Sequence, residues 1–91
     1  VGPDGGSAQA LEDMAAFRAI PGMTVISPAD PAEMSLAVRA MMDFEGPVYM
    51  RTGRSPSQRV FGEGHTFEIG KGCIVRPGKD VTIVACGVEV A

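Results

Sequence analysis

Tryptophan is absent from these 91 residues, tyrosine occurs once, and aromatics make up 5% of the chain, so any core must rest on aliphatic side chains. Those are mostly Ala, Val, Ile and Met, as expected for strands sandwiched between helices. An excess of Lys and Arg is also missing. The formal net charge of −3 argues against the clustered basic surface that a nucleic-acid partner requires. No apolar run approaches the ~20 residues of a membrane span, and no stretch has the pattern of a secretory leader. The two cysteines, Cys73 and Cys86, lack CxxC spacing; they are expected to be reduced, buried thiols rather than a disulfide or metal ligands. Internal repeats and low-complexity tracts are missing. Val1 in place of a methionine, and an apolar run at 88–91, give both ends the look of cuts in a longer protein.

What is present is organised around Ile20-Pro21-Gly22-Met23-Thr24-Val25-Ile26-Ser27-Pro28-Ala29-Asp30-Pro31. Pro21 and Gly22 stop a preceding helix. Met23 to Ile26 is a short apolar run with β-branched members, which predicts a buried strand. Ser27-Pro28 ends it. Asp30 can cap the next helix, Pro31 suits its first position, and Glu33 completes a capping box. Before this unit, Gly2-Pro3-Asp4-Gly5-Gly6 is turn-rich, and Ser7 is placed to cap a helix from about Ala8 to Arg18, with Leu11, Met14, Ala15 and Phe17 on its apolar face. After it, Met34, Ala37, Val38 and Met41 fall at i, i+3, i+4 and i+7, one buried face of a helix from Pro31 to about Asp43. Arg39 and Asp43 form an exposed i,i+4 pair. Gly46 ends the helix and Pro47 leads into a strand over Val48–Thr52. The fold class is therefore α/β, with adjacent parallel strands.

Past Thr52, Gly53-Arg54-Ser55-Pro56-Ser57-Gln58-Arg59 forms a polar loop beyond a strand's C-terminal end, where ligands bind in open α/β sheets. Arg51 and Arg54 lie there with guanidinium groups suited to phosphate; the alternative is two solvated loop arginines. His65, in a glycine-rich connector, reads as a surface histidine. Phe67–Arg76 alternates in and out, Pro77–Asp80 is a turn, and Val81–Gly87 is a continuous apolar strand. This last third reads as the start of a second α/β domain.

The blocks Gly2-Pro3-Asp4-Gly5, Gln9-Ala10-Leu11-Glu12-Asp13, Arg18-Ala19-Ile20-Pro21-Gly22-Met23, Gly46-Pro47-Val48-Tyr49-Met50-Arg51, Ile69-Gly70-Lys71-Gly72 and Gly78-Lys79-Asp80-Val81-Thr82-Ile83-Val84-Ala85-Cys86-Gly87 resemble, in order, the C-terminal section of split-type transketolases. The deoxyxylulose-phosphate synthases and 2-oxo acid dehydrogenase β subunits are related and share the fold. The resemblance implies the second half of a pyrimidine-binding domain at 1–53, a linker at 54–66, and the start of a C-terminal domain at 67–91. It implies a cytoplasmic enzyme of the pentose phosphate pathway moving a two-carbon ketol unit from a ketose, with thiamine diphosphate and Mg²⁺ held by residues outside this segment. The implied partners are a sugar phosphate and an N-terminal diphosphate-binding subunit or domain, in a homodimer or heterotetramer, with neither nucleic acid nor membrane. Asp4 matches a family aspartate that bonds a donor-sugar hydroxyl. Arg54 matches the arginine that grips the substrate phosphate, and Arg51 is its neighbour. No catalytic residue falls in the segment.

One position departs from the family. Its loop histidine, which faces the cofactor, falls on Ala8, and alanine can neither donate a hydrogen bond nor move a proton. A non-catalytic, transketolase-like assembly subunit is therefore the second expectation. The isolated segment, leaving apolar strand edges unpaired, is expected to be marginally stable.

Overall fold

The computed structural model describes residues 2 and 5–91. Strand β1 (Thr24–Ile26) and strand β2 (Val48–Met50) pair in parallel, with Thr24 opposite Val48, Val25 opposite Tyr49 and Ile26 opposite Met50. Backbone bonds extend the ladder at both ends, from Thr24 N to Pro47 O at 3.0 Å and from Arg51 N to Ile26 O at 2.9 Å. The β-branched Thr24, Val25 and Ile26 suit this pleated, part-buried position.

Helix α1 (Asp13–Arg18) precedes β1, and helix α2 (Pro31–Met42) connects the strands. The start of α2 follows from its sequence. Asp30 is extended, and its Oδ1 accepts from Glu33 N at 2.8 Å. The returning Glu33 carboxylate reaches one residue beyond the usual capping box, accepting from Ala29 N at 2.7 Å. The helix's apolar face is partly covered: Ala37 is fully buried, Met34 and Met41 are half-buried, and Val38 is exposed. Arg39 and Asp43 are both exposed with no ion pair between them among the described residues, Asp43 lying past the last helical turn.

Two expectations need correction. The first helix does not begin at Ala8: Gly6–Ala8 is a single 3-10 turn, Gln9 is extended, and α1 starts only at Asp13 with Leu11 exposed before it. Ser7 lies inside the turn and makes no capping hydrogen bond among the described residues. The physical cause is tertiary, because Arg51 Nη2 donates to Ala10 O at 3.0 Å and so takes a carbonyl that a continuous helix would use. The second correction concerns the last third. Neither Phe67–Arg76 nor Val81–Gly87 forms a strand. A strand exists by its ladder, and β1 and β2 pair with each other, leaving Val81, Ile83 and Val84 exposed. Cys73 and Cys86 go with them: both are unpaired thiols, as expected, but exposed rather than buried.

Gly87 follows this stretch. It is buried, has φ +61°, and donates its N–H to Ser27 O at 2.9 Å; a Cβ there would stand 2.6 Å from Ser27 Oγ. Residues Gly87–Val90 then form a 3-10 turn beside the strand ends.

Candidate functional site

Parallel pairing brings the C-terminal ends of β1 and β2 to one edge, and the segments leaving that edge, 27–30 and 51–58, stand together with Val88. A cavity of about 410 Å³ is lined by Gly53, Arg54, Ser55, Pro56 and Val88 among others. A second, of about 250 Å³, lies between the same loop and Pro28, Asp30 and Met34. Gly2 also reaches this edge. It has φ +69°, and a Cβ there would lie 2.8 Å from Arg54 Nε, so the glycine-rich opening and the loop after β2 approach in a way that only a bare backbone allows.

Arg51 and Arg54, adjacent in the sequence, take different surroundings. Arg54 is exposed and lines the larger cavity. Arg51 turns toward α1, with Nη1 at 3.4 Å from Met14 Sδ, Nη2 on Ala10 O, and Nε 3.4 Å from Asp13 Oδ2. The same Asp13 oxygen accepts the Tyr49 hydroxyl at 2.6 Å, and the Tyr49 ring stacks on Phe17 with centroids 3.9 Å apart. One carboxylate thus joins α1 to β2. The Tyr49 hydrogen bond holds the Asp13 carboxyl below its usual value, against the opposing effect of burial and with help from the Arg51 charge. Tyr49 moves the opposite way: its hydrogen bond to Asp13 and its burial raise the phenol above 10.0.

Asp30 makes the second junction. While Oδ1 caps α2, Oδ2 accepts from both Val60 N and Phe61 N at 2.8 Å. Burial opposes the charge, yet the backbone N–H groups of Glu33, Phe61, Val60 and Ala32 prevail and lower the carboxyl below 3.8. His65, expected at the surface, packs here instead. Its ring stacks on Phe61 at 3.7 Å, and Nε2 lies 3.4 Å from Glu33 Oε1 with the imidazole 13% exposed. The correction has a plain cause: Asp30 draws residues 60–61 onto the start of α2, and His65 follows Phe61.

Asp4 lies outside the described residues. Ala8 is exposed at the end of the 3-10 turn. Among the described residues no group of three or more His, Cys, Asp or Glu could hold a metal ion. Sequence reasoning missed Asp13 and Tyr49 as partners, since they are 36 positions apart. A signal existed, however: Asp13 lies at i−4 from Phe17 on the helix face that packs inward, and a carboxylate there requires a partner. Nothing in the sequence near Asp30 pointed to Val60 or Phe61.

The sequence profile for the transketolase pyrimidine-binding domain matches residues 1–58. The chain is 46% identical to a protein named putative transketolase C-terminal section of Methanocaldococcus jannaschii, over 99% of this chain and 29% of that protein. Identity is 42% to a 6-deoxy-6-sulfo-D-fructose transketolase subunit of a Clostridium species, over 97% of this chain and 27% of the relative. Human transketolase is 34% identical over 99% of this chain and 15% of its own length. Among solved structures, one titled split gene transketolase, inactive beta4 tetramer, superposes with a TM-score of 0.86 at 47% identity, over 91% of this chain and 28% of that one. The chain thus spans less than a third of these relatives. With the profile covering its first 58 residues and split-type relatives aligned over nearly all of it, the chain belongs to the transketolase family.

Proposed function

We propose that these residues form the substrate side of a thiamine-diphosphate-dependent transketolase, with Arg54 as the grip on the anionic end of a ketose. The observation that carries this reading is the place of Arg54: beyond the C-terminal end of β2, against Gly2, on the wall of the 410 Å³ cavity. A guanidinium there offers parallel N–H donors to phosphate or sulfonate oxygens, and one relative's name does include a sulfonated sugar. Arg51 is the secondary contact. Three of its nitrogens face Met14, Ala10 and Asp13, and two of the five N–H groups of a guanidinium remain for a ligand. Asp4, in the same opening as Gly2, is the acceptor for a donor-sugar hydroxyl.

In this reading residues 1–53 belong to the pyrimidine-binding domain, 54–66 to the linker and 67–91 to the start of the C-terminal domain. Thiamine diphosphate, held with Mg²⁺ by residues outside the segment, supplies the electron sink for ketol transfer. This chain's residues bind and orient the sugar. The enzyme is cytoplasmic, of the pentose phosphate pathway, and works with an N-terminal diphosphate-binding subunit or domain in a homodimer or heterotetramer. The split-section and tetramer names of relatives support a multi-subunit assembly in general.

The test uses the full-length protein with its partner, thiamine diphosphate and Mg²⁺, following glycolaldehyde transfer from phosphorylated and unphosphorylated ketoses. Arg54→Ala is expected to raise KM for the phosphorylated donor by roughly 10–100-fold, the range of a charge-assisted hydrogen bond. Ala8 favours a second reading, an assembly subunit without turnover, because no imidazole stands in the opening turn. Bound cofactor with no transfer from any ketose, in wild type and in Ala8→His, would establish that alternative. Transfer through a decarboxylated 2-oxo acid would instead point to the related synthases or dehydrogenase β subunits.

A further inference from the structure

Among the described residues, backbone N–H groups fasten the loop that carries Arg54 at two places. At its near end, β2 and the bond from Arg51 N to Ile26 O hold it to the sheet. At its far end, Val60 N and Phe61 N both donate to Asp30 Oδ2. Between them, residues 55–59 make no backbone–backbone hydrogen bond among the described residues. Asp30 itself cannot turn. It is 3% exposed, its other oxygen is bound by Glu33 N at the head of the 12-residue α2, and it lines the 250 Å³ cavity with Gly53, Ser55, Pro56 and Ser57. Phe61 is held further by the His65 ring.

We propose that Asp30 is a positioning residue for Arg54, closing the 51–61 loop from its far end and so fixing where the guanidinium stands. The proposal rests on the reading of Arg54 as the anion grip. Its content is that the two oxygens of one carboxylate have separable tasks: Oδ1 starts α2 and Oδ2 shapes the substrate loop. A serine at this position retains the first task, since its hydroxyl also caps a helix, and loses the second.

The experiment compares wild type, Asp30→Ser, Arg54→Ala and the double variant in the full-length protein with its partner, thiamine diphosphate and Mg²⁺. In Asp30→Ser, KM for a ketose phosphate should rise on the order of tenfold, as for a misplaced rather than a missing group. Its kcat and its KM for the unphosphorylated ketose should hold. The double variant should bind the phosphate no worse than Arg54→Ala. Hydrogen exchange should show Val60 and Phe61 losing protection while the α2 amides keep theirs. Equal losses for both ketoses, or exchange spreading through α2, would mean a merely structural residue and overturn the proposal. An unchanged phosphate KM in Asp30→Ser beside a weakened Arg54→Ala overturns it too, and leaves the anion grip standing. An unchanged phosphate KM in Arg54→Ala overturns the grip and the proposal together.

Discussion

At the scale of the residue, the fold is joined by two carboxylates, and both are held ionised. For Asp30 the folded carboxyl lies below 3.8, because its backbone donors outweigh burial. A depressed carboxylate contributes stability that is complete above the unfolded value and is lost as pH falls through the lower, folded one. The amide resonances of Val60 and Phe61, which both donate to Asp30, should therefore shift in acid with a midpoint below 3.8. A midpoint at or above that value would mean that the loop does not bind the carboxylate. Tyr49 tests the other junction with the opposite sign. Its phenol, raised by the hydrogen bond to Asp13, keeps its contribution below 10.0 and loses it as pH climbs through the folded value. A difference titration of wild type against Tyr49→Phe, read in the tyrosinate absorbance, should show a midpoint above 10.0 that returns toward it in Asp13→Asn.

At the scale of the element, legibility tracked locality. The head of α2 was readable because Asp30, Pro31 and Glu33 act on backbone within four residues of themselves. β1 and β2 were readable from composition and from Pro21-Gly22 and Gly46-Pro47. The start of α1 was not, since a side chain 41 positions away takes the Ala10 carbonyl. For the same reason the placement of His65 stayed hidden, and so did the separate surroundings of Arg51 and Arg54. Within α2, Ala37 is the one described side chain at 0% exposure, although its stripe mate Val38 faces solvent. Ala37→Leu should therefore cost about 1–3 kcal/mol by overpacking, while Val38→Ala should stay within ~0.5 kcal/mol. Denaturant midpoints for the two variants would separate them, and equal effects would show that Ala37 is not packed as described.

At the scale of the whole molecule, the question is how much core these residues hold by themselves. A compact chain of this length exposes about 5,000 Å² and has a radius of gyration of about 12 Å. Here the values are 7186 Å² and 14.3 Å. The buried apolar side chains among the described residues are Ile26, Ala29 and Ala37, with Pro28 beside them, whereas Ile74, Val81, Ile83 and Val84 are each at least 75% exposed. Each of these four would gain ~1.5–3 kcal/mol by burial, which is a large share of the stability of any small domain. The backbone at 81–86 also has no ladder partner among the described residues, which leaves its N–H and C=O groups open to pairing. The 91-residue chain alone should therefore melt without a cooperative transition, bind a hydrophobic dye, and self-associate as its concentration rises. In the proposed full-length assembly, the 81–86 amides should be protected from exchange and the dye should not bind. A sharp, concentration-independent transition of the isolated chain, with no dye bound, would mean that Val81–Ala85 finds cover within these residues. The separation of a second domain after residue 66 would then fail as well, because that cover would have to come from the 1–53 unit itself.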